Sequence, residues 1–265
     1  MSNARFQDQV VWVTGASSGI GRATATAFAG EGAFVIISAR RAASLEELAA
    51  TLGANRCLVL PVDVVDADAR NEAVRIALAW KGKVDVLVNN AGVSQRSRAL
   101  DTTEAAARAI MDVNFFAPVE LSRAVLPSMI ARQSGQIVVV SSVTGHVATP
   151  MRSTYAASKH AVQGYFDALR AELHDTGVDV TIIAPGFIAT DITKSAVTAD
   201  GSPLGKMEED TAGGMPPDRC AAELVDATAK RKREALIGGK EIYAVHLKRL
   251  APGLVAKLIR RAVPK

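Results

Sequence analysis

Cysteine is scarce in this sequence. Cys57 and Cys220 are the only two among 265 residues, and they lie far apart in the chain. Two cysteines cannot build a disulfide framework, and their separation does not match the spacing of a cysteine-based metal site. We therefore expect two reduced, buried thiols in a cytoplasmic protein, and we predict no metal-binding residues.

Aromatic residues and long apolar runs are also lacking. Phe, Trp and Tyr make up 5% of the chain, too few for an aromatic-rich surface that stacks on nucleic-acid bases. No apolar run approaches the roughly 20 residues that span a bilayer. The polar stretch from Met1 to Gln9 does not have the pattern of a secretory signal. We expect a protein without a membrane-spanning helix and without a nucleic-acid partner.

Acidic side chains are nearly absent from the C-terminal region. The net charge is +4, yet residues 230–265 carry eleven Lys or Arg against two Glu. The rest of the chain is therefore net negative. An amphipathic helix is predicted over 254–262, with an apolar face and basic side chains toward the other. The extension at 240–265 either docks on the body or a partner subunit, or rests peripherally on an anionic membrane surface.

The chain does contain a regular alternation of apolar runs and helical patterns. Continuous apolar runs, typical of parallel strands covered on both faces, occupy 10–13, 34–38, 58–61, 84–89, 137–142, 178–185 and 235–237. Helical patterns lie at 20–31, 44–52, 66–80, 103–132 and 155–176. This alternation predicts a single-domain α/β fold, a doubly wound parallel sheet of about seven strands with helices on both faces.

The segment 191–217 interrupts this alternation after the sixth predicted strand. It is rich in Thr, Gly, Ser, Asp and Pro. In an open α/β sheet, the ligand crevice lies beyond the carboxyl ends of the strands. We therefore predict that this long irregular segment is a lid over the crevice.

A Gly-rich turn joins the first predicted strand to the first helix. It reads Thr14-Gly15-Ala16-Ser17-Ser18-Gly19-Ile20-Gly21. Glycines permit a tight turn and close approach of the backbone to a phosphate, and the helix N-terminus offers free N–H groups. The turn is predicted to bind the diphosphate of a dinucleotide, although glycines used only for turn geometry are the alternative.

The end of the second predicted strand indicates which dinucleotide is bound. An NAD site normally carries Asp or Glu there, about 20 residues after the glycines, to bind the ribose 2′-hydroxyl. This sequence has Ser38-Ala39-Arg40-Arg41 instead. Because guanidinium groups can pair with a 2′-phosphate, we predict NADP(H), with Arg40 as first contact and Ser38 as a helper. Alternatively, Arg40 and Arg41 only solvate the start of a helix.

Four further residues form a candidate catalytic set. Tyr155 and Lys159 lie four residues apart in a predicted helix and share one face. A nearby ammonium lowers the pKa of a phenol toward neutral pH, as general acid–base catalysis requires. Ser142 ends the fifth predicted strand at the ligand edge, and Asn114 lies in the long helix before it. Pro118 has no N–H, so we expect the Asn114 carbonyl to be free to bind water.

With these motifs in this order, the sequence resembles the short-chain dehydrogenase/reductase family. The resemblance runs from about residue 10 to 237 and includes TGASSGIG at 14–21, NNAG at 89–92, and Pro185-Gly186 followed by Thr190. It implies a Rossmann-like domain over 1–239 that transfers hydride between NADP(H) and a carbonyl or secondary alcohol. Residues 198–202 and the basic tail are most similar to the 11β-hydroxysteroid dehydrogenase-like subgroup.

The resemblance implies a role for each candidate residue. Tyr155 would exchange a proton with the substrate oxygen, which Ser142 would also hydrogen-bond. Lys159 would lower the pKa of Tyr155 and hold the nicotinamide ribose, and Asn114 would anchor a water molecule. The predicted cofactor contacts are Gly15, Ser17, Ser18, Gly19, Ile20, Gly21, Ser38, Arg40, Arg41, Asp63, Val64, Asn90, Ala91, Gly92, Tyr155, Lys159, Pro185, Gly186, Ile188 and Thr190.

The predicted partners are a small-molecule carbonyl or alcohol and further copies of the chain. The segments 93–98 and 143–150 are partly apolar, which would tolerate an apolar substrate, and His146 is a candidate contact or simply a solvated loop histidine. The resemblance implies a homodimer or homotetramer formed through the helices that carry Asn114 and Tyr155. The alternative function is an NADP(H)-binding regulator or scaffold without turnover.

Overall fold

The computed structural model describes residues 4–53, 55–207 and 209–261. The strands are β1 (Val10–Thr14), β2 (Phe34–Ser38), β3 (Cys57–Val59), β4 (Val86–Asn89), β5 (Gly135–Val140), β6 (Val178–Pro185) and β7 (Glu234–Ile237). All pair in parallel in one sheet, in the order β3-β2-β1-β4-β5-β6-β7. The predicted seven-stranded parallel sheet is confirmed.

Helices cover both faces of this sheet. They are α1 (Gly19–Gly30), α2 (Ala42–Leu52), α3 (Ala67–Trp80), α4 (Glu104–Met111), α5 (Ala117–Ala131), α6 (Ser153–Glu172), α7 (Glu209–Ala212), α8 (Pro217–Ala229), α9 (Tyr243–Leu250) and α10 (Pro252–Arg261). The core of one face takes its helical side chains from α1, α2 and α8, and that of the other face from α3, α5 and α6. The doubly wound arrangement is thus confirmed.

Strand β1 shows why the strands are continuous apolar runs. All five of its residues are buried. Val11 and Val13 enter the core that contains Phe28 of α1, whereas Trp12 enters the core on the opposite face. Because neighbouring strand residues point to opposite faces and both faces are covered, a polar residue has no solvated side to occupy.

The strand order places the ligand crevice beside β1 and β4. β1 pairs with β2 on one side and with β4 on the other, so the direction of winding reverses between β1 and β4. A crevice forms beyond the carboxyl ends of strands at such a switch point. The Gly-rich turn after β1 and residues 90–92 after β4 both lie at this edge.

The helical stretch predicted over 103–132 is found at 104–131, but it contains a π-helical turn that the sequence did not indicate. The segment consists of α4, a π-helical turn at Asp112–Phe116, and α5. The N–H of Ala117 donates to the carbonyl of Asp112, five residues earlier. Pro118 follows this turn and has no N–H, so the helical hydrogen bond from position 118 to the preceding turn is missing. Asn114 therefore lies in a widened turn, of the kind that often occurs at functional sites.

The predicted lid segment packs against the loop that follows β4. Val197 forms a bridge with Gln95, and its N–H donates to the carbonyl of Ser94 at 2.9 Å. The N–H of Thr103 donates to the carbonyl of Ala199, also at 2.9 Å. The irregular segment ends where α8 begins at Pro217.

The C-terminal extension docks on the body of its own chain. Val245 of α9 and Val255 of α10 are buried in a small cluster with Val147. The apolar face predicted for the helix over 254–262 is only partly buried, because Leu254 and Leu258 are each 49% exposed; residue 262 lies outside the described residues. Within the described residues, the structure contains no helix that combines the length and hydropathy needed to cross a membrane.

Candidate active site

The Gly-rich turn has a shape that only glycines allow. Gly15 and Gly19 have φ values of 67° and 54°, in the left-handed region. A Cβ at Gly15 would lie 2.9 Å from the Cα of Ala91, and one at Gly21 would collide with the carbonyl of Gly15. The turn leads directly into the N-terminus of α1, so these residues fit the diphosphate of a dinucleotide.

The Asn90 side chain links this turn to the end of β4 by hydrogen bonds. Its Nδ2 donates to the carbonyls of Thr14 at 2.9 Å and Gly15 at 3.3 Å. The Thr14 hydroxyl accepts the N–H groups of Asn90 and Ala91. The Asn90 side chain therefore shapes the predicted cofactor site through the backbone of the turn.

Tyr155 and Ser142 both line the cavity at the ligand edge of the sheet. Tyr155, in the first turn of α6, is 8% exposed. Burial raises its pKa, and the nearby Ser142 hydroxyl and the positive charge of Arg152 act in the opposite direction. The neighbouring Ser141 hydroxyl instead donates to the carbonyl of Lys159. Ser142 is thus the serine whose hydroxyl acts on the tyrosine, and its role toward the substrate stays a prediction.

Lys159 is buried one helical turn after Tyr155. Its Nζ donates to the carbonyl of Val140 at 2.9 Å and lies 5.8 Å from the centroid of the Tyr155 ring. Burial lowers the pKa of Lys159 to about 8. The predicted lowering of the Tyr155 pKa by Lys159 is not found in this structure, in which burial raises that pKa and only Ser142 and Arg152 oppose the increase.

Asn114 connects three parts of the site. Its Oδ1 accepts the N–H of Val93 and its Nδ2 donates to the Val93 carbonyl, both at 2.9 Å. The same Nδ2 donates to the hydroxyl of Ser158 at 3.0 Å. A Cβ at Gly92 would lie 3.2 Å from Asn114 Oδ1 and 3.6 Å from Lys159 Nζ. The side chain thus fixes the loop after β4 against α6, and the water-binding role of its carbonyl stays a prediction.

The segment after β6 crosses the mouth of the crevice in an extended conformation. The N–H of Met215 donates to the carbonyl of Phe187, and that of Ala189 donates to the carbonyl of Met215, both at 2.9 Å. Ile188 faces Met215 in this bridge, so its own N–H points to the opposite side. The methyl group of Thr190 would lie 3.0 Å from a Cβ at Gly19, which places Thr190 beside the Gly-rich turn.

These elements enclose a cavity of about 270 Å³. Ser142, Tyr155 and Lys159 line it together. Further lining residues come from the loop after β5, the lid segment and the C-terminal extension. They include Val143, Val147, Thr149, Arg152, Ile192, Thr193, Thr211, Glu241, Ala244 and Ile259. The described part of the chain has no group of three or more His, Cys, Asp or Glu side chains that could hold a metal ion.

Comparisons with known proteins agree with this geometry. The family model of short chain dehydrogenases matches residues 9–201. Dehydrogenase/reductase SDR family member 7B of Bos taurus is 41% identical over 265 residues, covering 97% of this chain and 82% of the relative. Dehydrogenase/reductase SDR family protein 7-like of Anopheles gambiae is 40% identical, covering 99% of this chain and 86% of the relative. This chain belongs to the short-chain dehydrogenase/reductase family.

Solved structures of other short-chain dehydrogenases share the whole fold. A short-chain dehydrogenase from Streptomyces avermitilis superposes with a TM-score of 0.83 at 32% identity, covering 98% of this chain and 99% of that one. A family member from Burkholderia phymatum, solved in complex with NAD, gives a TM-score of 0.84 at 25% identity, covering 94% of this chain and 96% of that one. The family binds a nicotinamide dinucleotide.

The second strand of this short-chain dehydrogenase ends in two exposed arginines. Arg41 donates to the Ser17 hydroxyl of the Gly-rich turn at 3.1 Å, and Arg40 is exposed beside it. Ser38 was predicted as a helper, but its side chain is fully buried and accepts a hydrogen bond from Trp12 Nε1 at 2.9 Å. A buried hydroxyl on the inner side of the strand cannot reach a phosphate, so the prediction for Ser38 was wrong.

The two residues predicted at the adenine end differ in exposure. Asp63, after β3, is exposed, and its carboxylate accepts the N–H of Val65. Val64 is buried, and its carbonyl accepts a hydrogen bond from Arg70 at 2.9 Å. Only the Asp63 side chain therefore faces solvent at this edge.

Two further residues act on Tyr155, and neither was predicted to do so. Gln95, which is buried, accepts the N–H of Tyr155 at 3.0 Å and so fixes the start of α6. Arg152 lines the cavity next to Tyr155. His146, in contrast, does not line the cavity, because its Nε2 pairs with Glu234 at 2.7 Å and with Gln163 at 2.8 Å. Of the two contacts with Tyr155, only that of Arg152 had a signal in the sequence, because Arg152 lies three residues before the tyrosine.

Proposed function

We propose that this oxidoreductase transfers a hydride between NADP(H) and a carbonyl or secondary alcohol, with Tyr155 as the general acid or base. The observation that carries the proposal is that Ser142, Tyr155 and Lys159 line one cavity. Two hydroxyl groups directed into one cavity can hydrogen-bond the same substrate oxygen. Membership of the short-chain dehydrogenase family supports this chemistry.

The proton path in this proposal uses three side chains. In carbonyl reduction, Tyr155 gives its phenolic proton to the substrate oxygen while Ser142 donates a hydrogen bond to that oxygen. When bound, the nicotinamide supplies the hydride to the carbonyl carbon, so that the products are an alcohol and the oxidised cofactor. Lys159, with a pKa of about 8, is protonated at neutral pH and can return a proton to Tyr155. Oxidation reverses each transfer.

The choice of NADP(H) over NAD(H) rests on Arg40 and Arg41. Both guanidinium groups are exposed at the end of β2, where an acidic residue would select the 2′-hydroxyl. The NAD-bound Burkholderia relative shows that the family also includes NAD binders. We expect Arg40→Ala to weaken NADPH binding by about tenfold or more, leaving NADH unchanged, with Arg75→Ala as a control on α3. Equal affinities of the wild type for NADPH and NADH in a fluorescence titration would refute the choice.

The cavity favours a substrate whose carbonyl is attached to an apolar body. Val143, Val147 and Ile192 form apolar walls around the Ser142–Tyr155 pair, and Ile259 closes one side. Thr149 adds a buried hydroxyl without a hydrogen-bond partner among the described residues, which a polar group of the substrate could bond.

The direct test is NADPH oxidation with a panel of ketones, aldehydes, quinones and steroid-like carbonyls, run in parallel with NADH. The proposal predicts turnover with at least one apolar carbonyl, faster with NADPH than with NADH. Tight NADPH binding without turnover across the whole panel would instead favour the alternative of a regulator that uses the fold without catalysis.

We further propose that copies of the chain associate through α4, α5 and α6. Phe116, at the end of the π turn, is 51% exposed. It packs on Phe115, which in turn contacts Tyr165 of α6, so the exposed ring continues an apolar surface. Light scattering on the wild type should give the mass of a dimer or tetramer, and Phe116→Glu should lower it. A monomeric wild type would contradict this assembly.

Peripheral membrane contact through the extension also remains a proposal, as does a cytoplasmic location. The outer side of α9 and α10 exposes Leu250, Leu254 and Leu258, and residues 242–265 include six Lys or Arg and no Asp or Glu. The wild type should sediment with anionic vesicles, and Leu254→Gln combined with Leu258→Gln should not. Leu100→Gln, at a residue that is 98% exposed elsewhere, is the control. Equal sedimentation of all three proteins would contradict membrane contact.

A further inference from the structure

Glu241, at the start of the C-terminal extension, contacts the segment that follows β6. Its Oε1 accepts the N–H of Phe187 at 2.9 Å and the N–H of Gly239 at 3.0 Å. Phe187 and Glu241 lie 54 residues apart in the chain. Hydrogen bonds to a carboxylate are stronger than those between neutral groups, so this contact links two distant parts of the chain firmly.

Three glycines make room for this carboxylate. A Cβ at Gly186 would collide with Glu241 Oε1, and one at Gly238 would lie 2.5 Å from it. A Cβ at Gly239 would lie 2.9 Å from Oε2. None of these glycines has a positive φ, so what a larger residue would disturb here is the position of the Glu241 carboxylate.

The bonded segment is the one predicted to hold the nicotinamide half of the cofactor. The Pro185 carbonyl accepts a hydrogen bond from the Ser142 hydroxyl, and the Gly186 N–H donates to Ile237 at 2.8 Å. On one side of the segment, the backbone of Met215 forms hydrogen bonds with the backbone of Phe187 and Ala189. Glu241 bonds the Phe187 N–H and itself lines the cavity. The N–H of Ile188 has no hydrogen bond to the described residues, so it is the donor left for a ligand.

We propose that Glu241 is a positioning residue that presets the backbone at 186–188 for the nicotinamide half of the dinucleotide. This inference rests on the proposed function. Because Glu241 belongs to the extension, cofactor binding depends on the extension being docked. The Glu241 carboxylate contacts residues 186–187 and 238–239, so we expect its effect to be confined to ligands that reach the segment after β6. A segment that is held in its bound conformation loses less entropy on binding.

The test compares two ligands across three variants. Adenosine 2′,5′-bisphosphate contains the adenine half alone, and NADPH contains both halves. We expect Glu241→Ala to weaken NADPH binding by about fivefold or more in calorimetry, while the affinity for the fragment stays within about twofold. Glu241→Gln keeps an acceptor oxygen and should retain most of the NADPH affinity. Lys240→Ala, at the exposed neighbour, should behave as the wild type.

Two further measurements separate positioning from general loss of structure. In Glu241→Ala, hydrogen exchange of a peptide covering 185–190 should accelerate, and the KM for NADPH should rise more than kcat falls. Equal weakening of NADPH and the fragment, or NADPH binding unchanged in Glu241→Ala, would overturn the proposal while the proposed function stands. Failure of the wild type to bind either dinucleotide would overturn both.

Discussion

The buried ammonium of Lys159 predicts a specific dependence of stability on pH. Its pKa is lowered from the ordinary value of 10.5 to about 8 because the side chain is buried. A lysine whose folded-state pKa is lowered binds fewer protons in the folded than in the unfolded protein between these two values. The free energy of unfolding therefore rises with pH through that window, because the cost of burying the charge disappears as Lys159 loses its proton.

The size of the effect follows from the same two pKa values. The difference between the ordinary and the lowered pKa of Lys159 corresponds to about 3 kcal/mol in the free energy of unfolding. Of this, about 2 to 3 kcal/mol should appear between pH 7 and pH 10. Lys159→Met is the matched control, since it removes the titrating group and leaves every other group in place. Urea unfolding of both proteins should show the wild type gaining about 1 M in midpoint relative to the variant over this range. Parallel pH profiles for the two proteins would refute the assignment of a depressed pKa to Lys159.

Three other substitutions test parts of the site. Ser142→Ala removes a donor to the substrate oxygen, so kcat should fall about 10²-fold with the cofactor dissociation constant unchanged; full activity would exclude Ser142 from the chemistry. Gly15→Ala forces a Cβ into a turn with a φ of 67°, and denaturant unfolding should reveal a loss of about 1 to 3 kcal/mol; an unchanged midpoint would contradict the strain. Ile259→Trp narrows the cavity, and KM should rise for bulky ketones but not for small aldehydes; equal effects on both would argue against Ile259 as a wall.

Much of the fold and part of the site were predictable because the signals are local. The apolar run of β1, the glycines after it and the Tyr155–Lys159 spacing each lie within a few residues of sequence. Strand alternation fixes the faces of a strand, and the helical repeat places Tyr155 and Lys159 on one face. Choosing Ser142 over Ser141 depended on the family resemblance, and in the structure the Ser141 hydroxyl donates to the carbonyl of Lys159 instead.

The remaining features depend on contacts between distant residues. Ser38 looked available at the end of β2, but Trp12 on the neighbouring strand uses its hydroxyl. Gln95 acts on Tyr155 only because the loop after β4 folds against α6, 60 residues later in the chain. Helix α8 lacked a clear pattern between the lid segment and the basic run at 230–233, and it was missed. Docking of the extension on Val147 likewise has no local signature.

The central claim is that Tyr155 transfers the proton, and its removal tests this most directly. The measurement is NADPH oxidation by Tyr155→Phe with the best carbonyl of the panel, alongside NADPH titration and thermal unfolding of the same variant. The account predicts that kcat falls by at least about 10²-fold in a folded variant that still binds NADPH. Turnover close to that of the wild type in such a variant would contradict the account.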